Sequence, residues 1–523
     1  MSNSPQLDII YLLQEAHLLW GGVMNIFREA QAFQRLGHNC RIICPTELGE
    51  CYKEFTVSYT QVDSLEAKNL PHADIIIATY FSTIPTAWEA ARLGKGRAVH
   101  YCQGYEGDSA DLFDYLSWIE NNYRIPGIQH ITINNFLSKR CETLFGWRAP
   151  VIPYGIGPEF HQGPGPQTNS SQFRIGLVGP WEIEWKDLPT GLRGVQQASA
   201  QGLDITLVRL SPVPIPEDEQ KAWGNLKVEA YERLTPQEMG VLYRSMDMFV
   251  GSSRGGGEGF FLPALEAMAS GVPCLLSDIP CFHSYNKPSD YACFFPAGSS
   301  EALAKGIISL GNHPELRQRL RTKGLATAKK YSFDSHMAAL EQRLQKVLSK
   351  PLKIEDLIYE GWEASRQSLV LEQQGEITRA IDFAKNALKG HPSSFPLWES
   401  LGRILGRANR FEEALEALQC ASSLVPNSPA TLGALAFCQC QLGLSDQAIE
   451  SYNKALELGL PGPRPHLDLA LIHLSKGDSS SAIQALEEAK KRMPRHGPHG
   501  KARERIQKEI FYLSTQGKTK CAS

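Results

Sequence analysis

Over the first 160 residues, short apolar runs rich in β-branched residues alternate with stretches whose apolar positions recur at helical spacing. Ile9–Leu13, Cys40–Cys44, Asp74–Thr79, Ala98–Gln103 and His130–Ile133 are predicted strands; Asn25–Leu36, Thr83–Leu93, Asp111–Tyr123 and Phe136–Phe145 are predicted helices. This alternation predicts a parallel sheet covered on both faces. Residues 161–172 (HQGPGPQTNSSQ) lack apolar periodicity and are dense in Gly, Pro and Ser, the composition of a linker. The α/β pattern resumes over 173–332. Strands are predicted at Phe173–Val178, Asp204–Leu210, Met248–Gly251, Pro273–Ser277 and Ala292–Phe295, and helices at Thr190–Ala200, Thr235–Ser245, Leu262–Ser270, Ser300–Leu310 and Pro314–Lys330. One more helix is predicted over Phe333–Leu348, within residues 333–350.

Beyond that point the pattern repeats every 34 residues. Ala380, Ala414, Ala448 and Ala482 recur in step, as do Ala387, Ala421, Ala455 and Ala489. Pro392, Pro426 and Pro494 share a phase, and Ser368, Gly402, Ala436 and Ala470 mark an earlier helix of each unit. Small residues let paired helices touch, and the prolines stop the second helix. The segment WESLGRIL, Trp398–Leu405, resembles the tetratricopeptide (TPR) pattern. Four repeats over 361–496 satisfy the roughly three that a stable stack needs, and residues 497–523 supply a capping helix, Lys501–Leu513, and a tail. The fold class is α/β plus all-α: Rossmann-like domains at 1–160 and 173–332, then an α-solenoid.

A chain of 523 residues is too long for a single core and agrees with about three domains. Its 53 basic and 56 acidic residues nearly balance, so nothing points to general nucleic-acid binding. Twelve cysteines include no CxxC pair, which suits free thiols in a reducing cytoplasm. The start, MSNSPQLDIIYLL, has neither the basic region nor the small-residue cleavage site of a secretory signal. The most apolar long segment, Gly259–Leu276, is interrupted by Pro263, Glu266, Gly271 and Pro273, so no membrane span is expected.

The chemistry concentrates in Gly255–Asp278, GGGEGFFLPALEAMASGVPCLLSD. Glu258 and Glu266 stand eight residues apart, about two helical turns. Pro263 fits only a first turn, so a helix should begin near Leu262. The N–H groups of Gly259, Phe260, Phe261 and Leu262 would then face outward at a positive helix end, where a phosphate is welcome. Two acids beside an anion site suit a sugar nucleotide.

The segment resembles the E-x7-E signature of retaining GT-B glycosyltransferases of the family 4 (group 1) type, and the resemblance extends over Leu7–Lys350. It implies a cleft between two Rossmann-like domains, with the 333–348 helix crossing back onto the first. It also implies a nucleotide-diphosphate sugar as donor, and neither metal nor cofactor. Glu258 would face the sugar hydroxyls, Glu266 would accept from the ribose hydroxyls, and Glu229–Arg233 would lie beside the base. Gly21 and Gly22 resemble the family's glycine loop, where backbone approaches the donor or acceptor closely. In VGPWEIEWKDLPTG, Lys186 takes the place of the family's phosphate-binding lysine, whereas Pro180 stands where an arginine is expected; Arg209 is the candidate replacement. Gln103 takes the place of the family's histidine. His100, three residues earlier, is expected to be a sheet residue, and Glu106 is a candidate base toward the acceptor.

YCQGYEG, Tyr101–Gly107, resembles the QDYE segment of a rhamnosyltransferase-like subgroup that builds bacterial surface polysaccharides. Val151–Phe160 resembles the family's approach to the linker. Asn135–Arg148 mixes basic and aromatic residues and could touch an anionic membrane from the cytoplasm, although a solvated helix face explains it as simply. The TPR groove is expected to take a protein partner or acceptor. The competing reading is a TPR scaffold carrying a degenerate transferase domain, with another two-Rossmann enzyme, such as a phosphorylase or epimerase, as a third.

Overall fold

The computed structural model describes residues 5–17, 21–163, 172–255, 258–493 and 499–520. The chain forms two compact units: Met1–Tyr105 with Ile128–Arg140 and Arg148–Leu352, and Glu106–Gly127 with Cys141–Trp147 and Lys353–Ser523.

The first unit contains two all-parallel six-stranded sheets. One is built from β1 (Asp8–Leu12), β2 (Asn39–Cys44), β3 (Ser58–Gln61), β4 (Ile75–Ala78), β5 (Arg97–Cys102) and β6 (Gln129–Thr132), in the order β3-β2-β1-β4-β5-β6. The other uses β7 (Phe173–Val178), β8 (Ile205–Ser211), β9 (Lys227–Glu232), β10 (Met248–Gly251), β11 (Cys274–Ser277) and β12 (Ala292–Phe295), in the order β12-β11-β10-β7-β8-β9. In each sheet the first strand lies inside and is flanked by its second and fourth: Ile9 sits opposite Cys40 and Ile75, and Ile175 opposite Leu207 and Met248. Strand order reverses there, so a crevice opens beyond the carboxyl ends of β1 and β4, and of β7 and β10.

The helices that precede the repeats in the chain are α1 (Gly21–Arg35), α2 (Ile84–Arg92), α3 (Leu116–Tyr123), α4 (Asn135–Phe145), α5 (Leu188–Ala200), α6 (Glu217–Ala222), α7 (Pro236–Arg244), α8 (Leu262–Ala269), α9 (Ser300–Asn312), α10 (Pro314–Ala328) and α11 (Phe333–Leu348). Strands β4, β10 and β11 are buried throughout, as sheets covered on both faces require. The edge strands β3 and β9 were not expected from their sequences, SYTQ and KVEAYE. Both are half-solvated, so neither carries the apolar run that marks a buried strand. Helix α1 is already formed at Gly21, four residues before the predicted Asn25. The predicted helix over Asp111–Tyr123 divides into a 3-10 segment, Ala110–Tyr115, and α3.

Helix α11 does cross back to the first sheet. Met337, Leu340, Leu344 and Val347 are buried, and His336 reaches Glu29 of α1 at 3.0 Å and the Pro153 carbonyl at 2.8 Å. Both His336 nitrogens therefore face acceptors, with Tyr11 and Tyr101 donating to the same buried carboxylate at 2.9 and 3.1 Å.

In the second unit, α12 (Trp362–Gln373), α13 (Ile377–Gly390), α14 (Phe395–Arg407), α15 (Phe411–Leu424), α16 (Pro429–Gln441), α17 (Ser445–Glu457), α18 (Arg464–Ser475) and α19 (Ser479–Arg492) form four helix pairs, followed by α20 (His499–Lys520). Ala380, Ala414, Ala448 and Ala482 are fully buried at the pair contacts. A Cβ at Gly402 would come within 2.6 Å of Leu418, so the third and fourth helices touch there. Pro494 lies outside the described residues, as does most of the predicted linker. The predicted boundary at 160 does not describe the packing of 106–127 and 141–147, which belong with the repeats. Leu116 shares a core cluster with Ala430, Leu460 and Leu469. Glu120, almost fully buried, accepts from the Ala430 N–H at 2.9 Å and the Ser428 hydroxyl at 2.5 Å, at the start of α16.

Candidate functional site

The carboxyl ends of β7 and β10 lead into loops that are fastened to each other. After β7 the chain turns at Gly179 and reaches Lys186. After β10 it runs through Ser252, Ser253 and Arg254. The Ser252 hydroxyl donates to the Lys186 carbonyl at 2.9 Å, and the Arg254 N–H to the Trp185 carbonyl at 2.8 Å. Lys186 Nζ then donates to Glu258 Oε2 at 2.6 Å while lying 4.5 Å from the centre of the Phe261 ring. Ser253 Oγ donates to the same oxygen at 2.9 Å. Glu258 is buried, so its charge is offset by an ammonium and a hydroxyl rather than by water.

Helix α8 starts at Leu262, with Pro263 in its first turn, as its sequence requires. Phe261 at the N-cap supplies no side-chain cap, leaving first-turn N–H groups for a ligand. The Phe261 ring itself is buried against Phe249 and Phe282, and Phe260 packs edge-on to Tyr154 and Tyr285. Midway along α8, Glu266 is buried and takes a 3.3 Å hydrogen bond from the Tyr243 hydroxyl. Burial pushes its carboxyl up to about 7, against the attraction of Arg28. Gly256 and Gly257 lie outside the described residues.

Across from these groups stands the first sheet. Gln103 follows β5 and accepts from the Tyr154 hydroxyl. A Cβ at Gly22 would lie 2.6 Å from Gln103 Oε1, and one at Gly259 would overlap the Gln103 carbonyl oxygen. Asn134 donates to the Gly259 carbonyl. Gly22, Gln103, Asn134 and Gly259 thus meet where the two Rossmann-like domains face each other, while Gly21 has open space beside it.

One expected site residue lies elsewhere. Arg209 does not replace the missing arginine. It is completely buried in β8, and its guanidinium meets Glu219 through Nε at 2.5 Å and Nη2 at 3.1 Å, leaving it no surface to offer a phosphate. Glu106 belongs to the second unit, where its carboxylate accepts from the Tyr123 hydroxyl at 2.5 Å. His100 is a sheet residue as expected: its Nδ1 lies 3.2 Å from that of His130, and burial lowers its pKa to about 3, so the ring is neutral. Glu229 is held by Arg174 through two 2.8 Å bonds, which lower its pKa.

Ser253, Asn134 and the pair Asp187–Arg254 did not emerge from the sequence. Asp187, next to Lys186 in the chain and at φ 46°, receives Arg254 Nε and Nη2 at 2.6 and 3.0 Å. Its signal was available: Arg254 immediately precedes the Gly-rich segment. No group of three or more His, Cys, Asp or Glu side chains arranged to hold a metal occurs among the described residues. In the second unit, a groove of about 410 Å³ runs between Phe113 and Leu116 on one side and Phe437, Leu460 and Arg464 of the repeats on the other.

Two Rossmann-like domains with a basic and acidic cluster at the second sheet's switch point define the GT-B class of architecture. Residues 220–327 match the family described as Glycosyl transferases group 1, and residues 366–429 and 441–496 match the tetratricopeptide repeat. The chain therefore carries a group 1 glycosyltransferase domain followed by TPR repeats. A curated relative, the phosphatidyl-myo-inositol mannosyltransferase of Mycobacterium leprae (strain TN), is 32% identical over 90 residues, 17% of this chain and 24% of the relative. The chain thus matches about a quarter of that relative's length. Among solved structures, a glycosyltransferase from Rickettsia africae ESF-5 aligns with a TM-score of 0.54 at 14% identity, over 66% of this chain and all of that one. Anabaena HepE in complex with UDP-glucose gives the same TM-score, identity and coverage. Both agree in fold with the first unit's paired sheets. No helix among the described residues is long and apolar enough to cross a membrane.

Proposed function

We propose that the protein is a retaining glycosyltransferase that moves a hexose or deoxyhexose from a nucleoside-diphosphate donor to a surface-glycan or protein acceptor. The observation that carries this reading is the cluster of Lys186, Ser253 and Glu258 at the uncapped start of α8, with Glu266 buried further along the same helix. The donor diphosphate lies against the α8 N-terminus and the Lys186 ammonium, which stabilise the departing nucleoside diphosphate as positive charge builds on the anomeric carbon. Glu258 receives sugar hydroxyls and Glu266 the ribose hydroxyls. Gly21, Gly22 and Gln103 form the facing wall, and Arg254 supplies the guanidinium that Pro180 cannot. The UDP-glucose complex of HepE favours uridine as the base. The chemistry uses no metal or cofactor and runs in the cytoplasm. The repeats recruit the acceptor or an assembly partner.

The test is a panel of UDP-, GDP- and dTDP-sugars, scored for binding by thermal shift and for turnover by release of the nucleoside diphosphate. One nucleotide sugar should bind and turn over. Lys186→Ala should lower turnover about 100-fold or more while leaving the fold intact. Absence of binding to the whole panel refutes the reading.

A second reading, a TPR scaffold whose transferase domain no longer turns over, draws on Pro180 and on the sequestration of Arg209 by Glu219. Full cellular function of a Glu266→Ala variant would establish it.

A further inference from the structure

At the opposite end of the second sheet from Lys186 and Glu258, the chain builds a pocket of about 230 Å³. Its walls come from the end of α7, the residues just before β10 and β11, the end of α8 and the start of α10. Three guanidiniums line it, Arg244, Arg317 and Arg321, against a single carboxylate, Asp247. The first turn of α10 also lies in the wall, through Pro314 and Arg317, and the His313 N-cap gives that helix no side-chain cap. A positive helix end and three arginines face one acid.

Two groups in the wall lack partners. Ser270 Oγ and Arg321 Nε are both buried without a hydrogen bond, and Ser270 is 2% exposed. An unpaired buried polar group costs free energy, so two together point to something that completes them.

The ordinary role for such arginines is to cap a helix end. The end of α8, however, is already closed by its own backbone: the Gly271 N–H reaches the Met268 carbonyl at 3.0 Å, and the Val272 N–H the Ala267 carbonyl at 2.9 Å. The Arg321 guanidinium lies over Gly271, where a Cβ would meet its Nε at 3.0 Å and its Nη2 at 3.2 Å. Arg244 spends one N–H on the Glu159 carbonyl, at 3.2 Å, and Arg317 spends Nη1 on the Leu310 and Gly311 carbonyls. Arg321 Nε, by contrast, has no partner in the protein.

We propose that this pocket binds a phosphate-class oxyanion, as free phosphate or as a small phosphate monoester, with Arg321 and Arg244 donating to its oxygens and Ser270 completing the set. Guanidiniums and a hydroxyl suit that geometry better than they suit a carboxylate alone, and the volume leaves room for a short ester group.

The test is calorimetric titration of the full-length protein with inorganic phosphate and with glycerol 3-phosphate, at ionic strength held constant with chloride. Wild type should bind one anion. Arg321→Gln should weaken it about tenfold or more and Ser270→Ala about threefold, whereas Lys186→Ala should leave it unchanged. Ser270→Ala removes only an unpartnered hydroxyl and should fold like wild type, so it carries the result if Arg321→Gln does not fold. Tighter binding of glycerol 3-phosphate assigns an ester ligand, and tighter binding of phosphate assigns the free ion. Three results overturn the proposal: no heat of binding up to about 20 mM anion, an affinity unchanged in Ser270→Ala, or loss of binding in Lys186→Ala, which would place the phosphate in the donor cleft instead.

Discussion

The ribose contact proposed for Glu266 needs an ionised carboxylate, and that group is held at the edge of ionisation. Burial raises its carboxyl from near 4.5 to about 7, opposed by Arg28 and by the Tyr243 hydroxyl. The sign follows from proton counting. Between about 4.5 and 7 the folded state holds a proton that the unfolded state has released, so this group's contribution to stability declines as pH rises through that window. Glu266→Gln should therefore gain stability over wild type at pH 8, on the order of 1–3 kcal/mol, and show no gain at pH 4. Hydroxyl donors favour the ionised form, so nucleotide affinity in wild type should rise from pH 6 to pH 8 with release of a proton, and the Gln variant should lose that slope. Calorimetry in two buffers of different ionisation enthalpy measures the released proton; a flat affinity profile would remove Glu266 from the ribose contact. Residue-scale legibility was uneven for a physical reason. Glu258, Glu266 and Lys186 lie in segments whose Gly, Pro and charge pattern has few other uses, whereas the fate of Arg209 depended on Glu219, ten residues on, across a turn whose geometry no local pattern encodes.

At the scale of elements, two adjacent glycines at the start of α1 make opposite demands. Gly21 has nothing within 4 Å of a Cβ, while Gly22 would place one 2.6 Å from the Gln103 amide oxygen. Gly21→Ala should fold normally and change stability by no more than about 0.5 kcal/mol, since a helix favours Ala over Gly. Gly22→Ala must move Gln103 away from Tyr154, and should lower turnover about tenfold or more with a modest loss of stability, of order 1–2 kcal/mol. Gly259→Ala is the harsher change, because its Cβ meets backbone at Gln103 and Gly104 rather than a flexible tip. Turnover and melting temperature of the three variants check the order; equal behaviour of Gly21→Ala and Gly22→Ala would sink it. The sequence's GG pair did not distinguish the two, because the distinction lies in a close approach from β5, eighty residues away. Buried strands such as β4 and β10 were legible, since parallel strands covered on both faces write themselves as continuous apolar runs. The edge strands β3 and β9, wet on one side, left no such mark.

At the scale of the molecule, the division of the chain does not follow its linear order. The connection between β5 and β6 leaves the first sheet's unit and packs among the repeats, where Phe113 and Leu116 line the groove and Glu120 caps α16. Ser117 donates to Glu399 of α14 at 2.5 Å, and Arg124 lies 3.3 Å from Glu120. Part of the surface expected to take a partner thus already holds a segment of the same chain, which the 34-residue period could not reveal because it describes only the repeats. The repeats should consequently be incomplete by themselves. A fragment spanning 353–523 leaves the α16 start without its carboxylate cap and exposes the apolar seat of Leu116, so it should unfold at a lower temperature than the same helices in the full chain. A synthetic peptide of residues 106–127 should bind that fragment and raise its melting temperature in a concentration-dependent way. A Glu120→Ala peptide should do so much less, the lost cap and buried hydrogen bonds being worth about 1–3 kcal/mol. Thermal unfolding of the fragment with each peptide decides the matter. A fragment as stable as the repeats in the intact chain, and indifferent to the wild-type peptide, would make the repeats an independent module with an open groove.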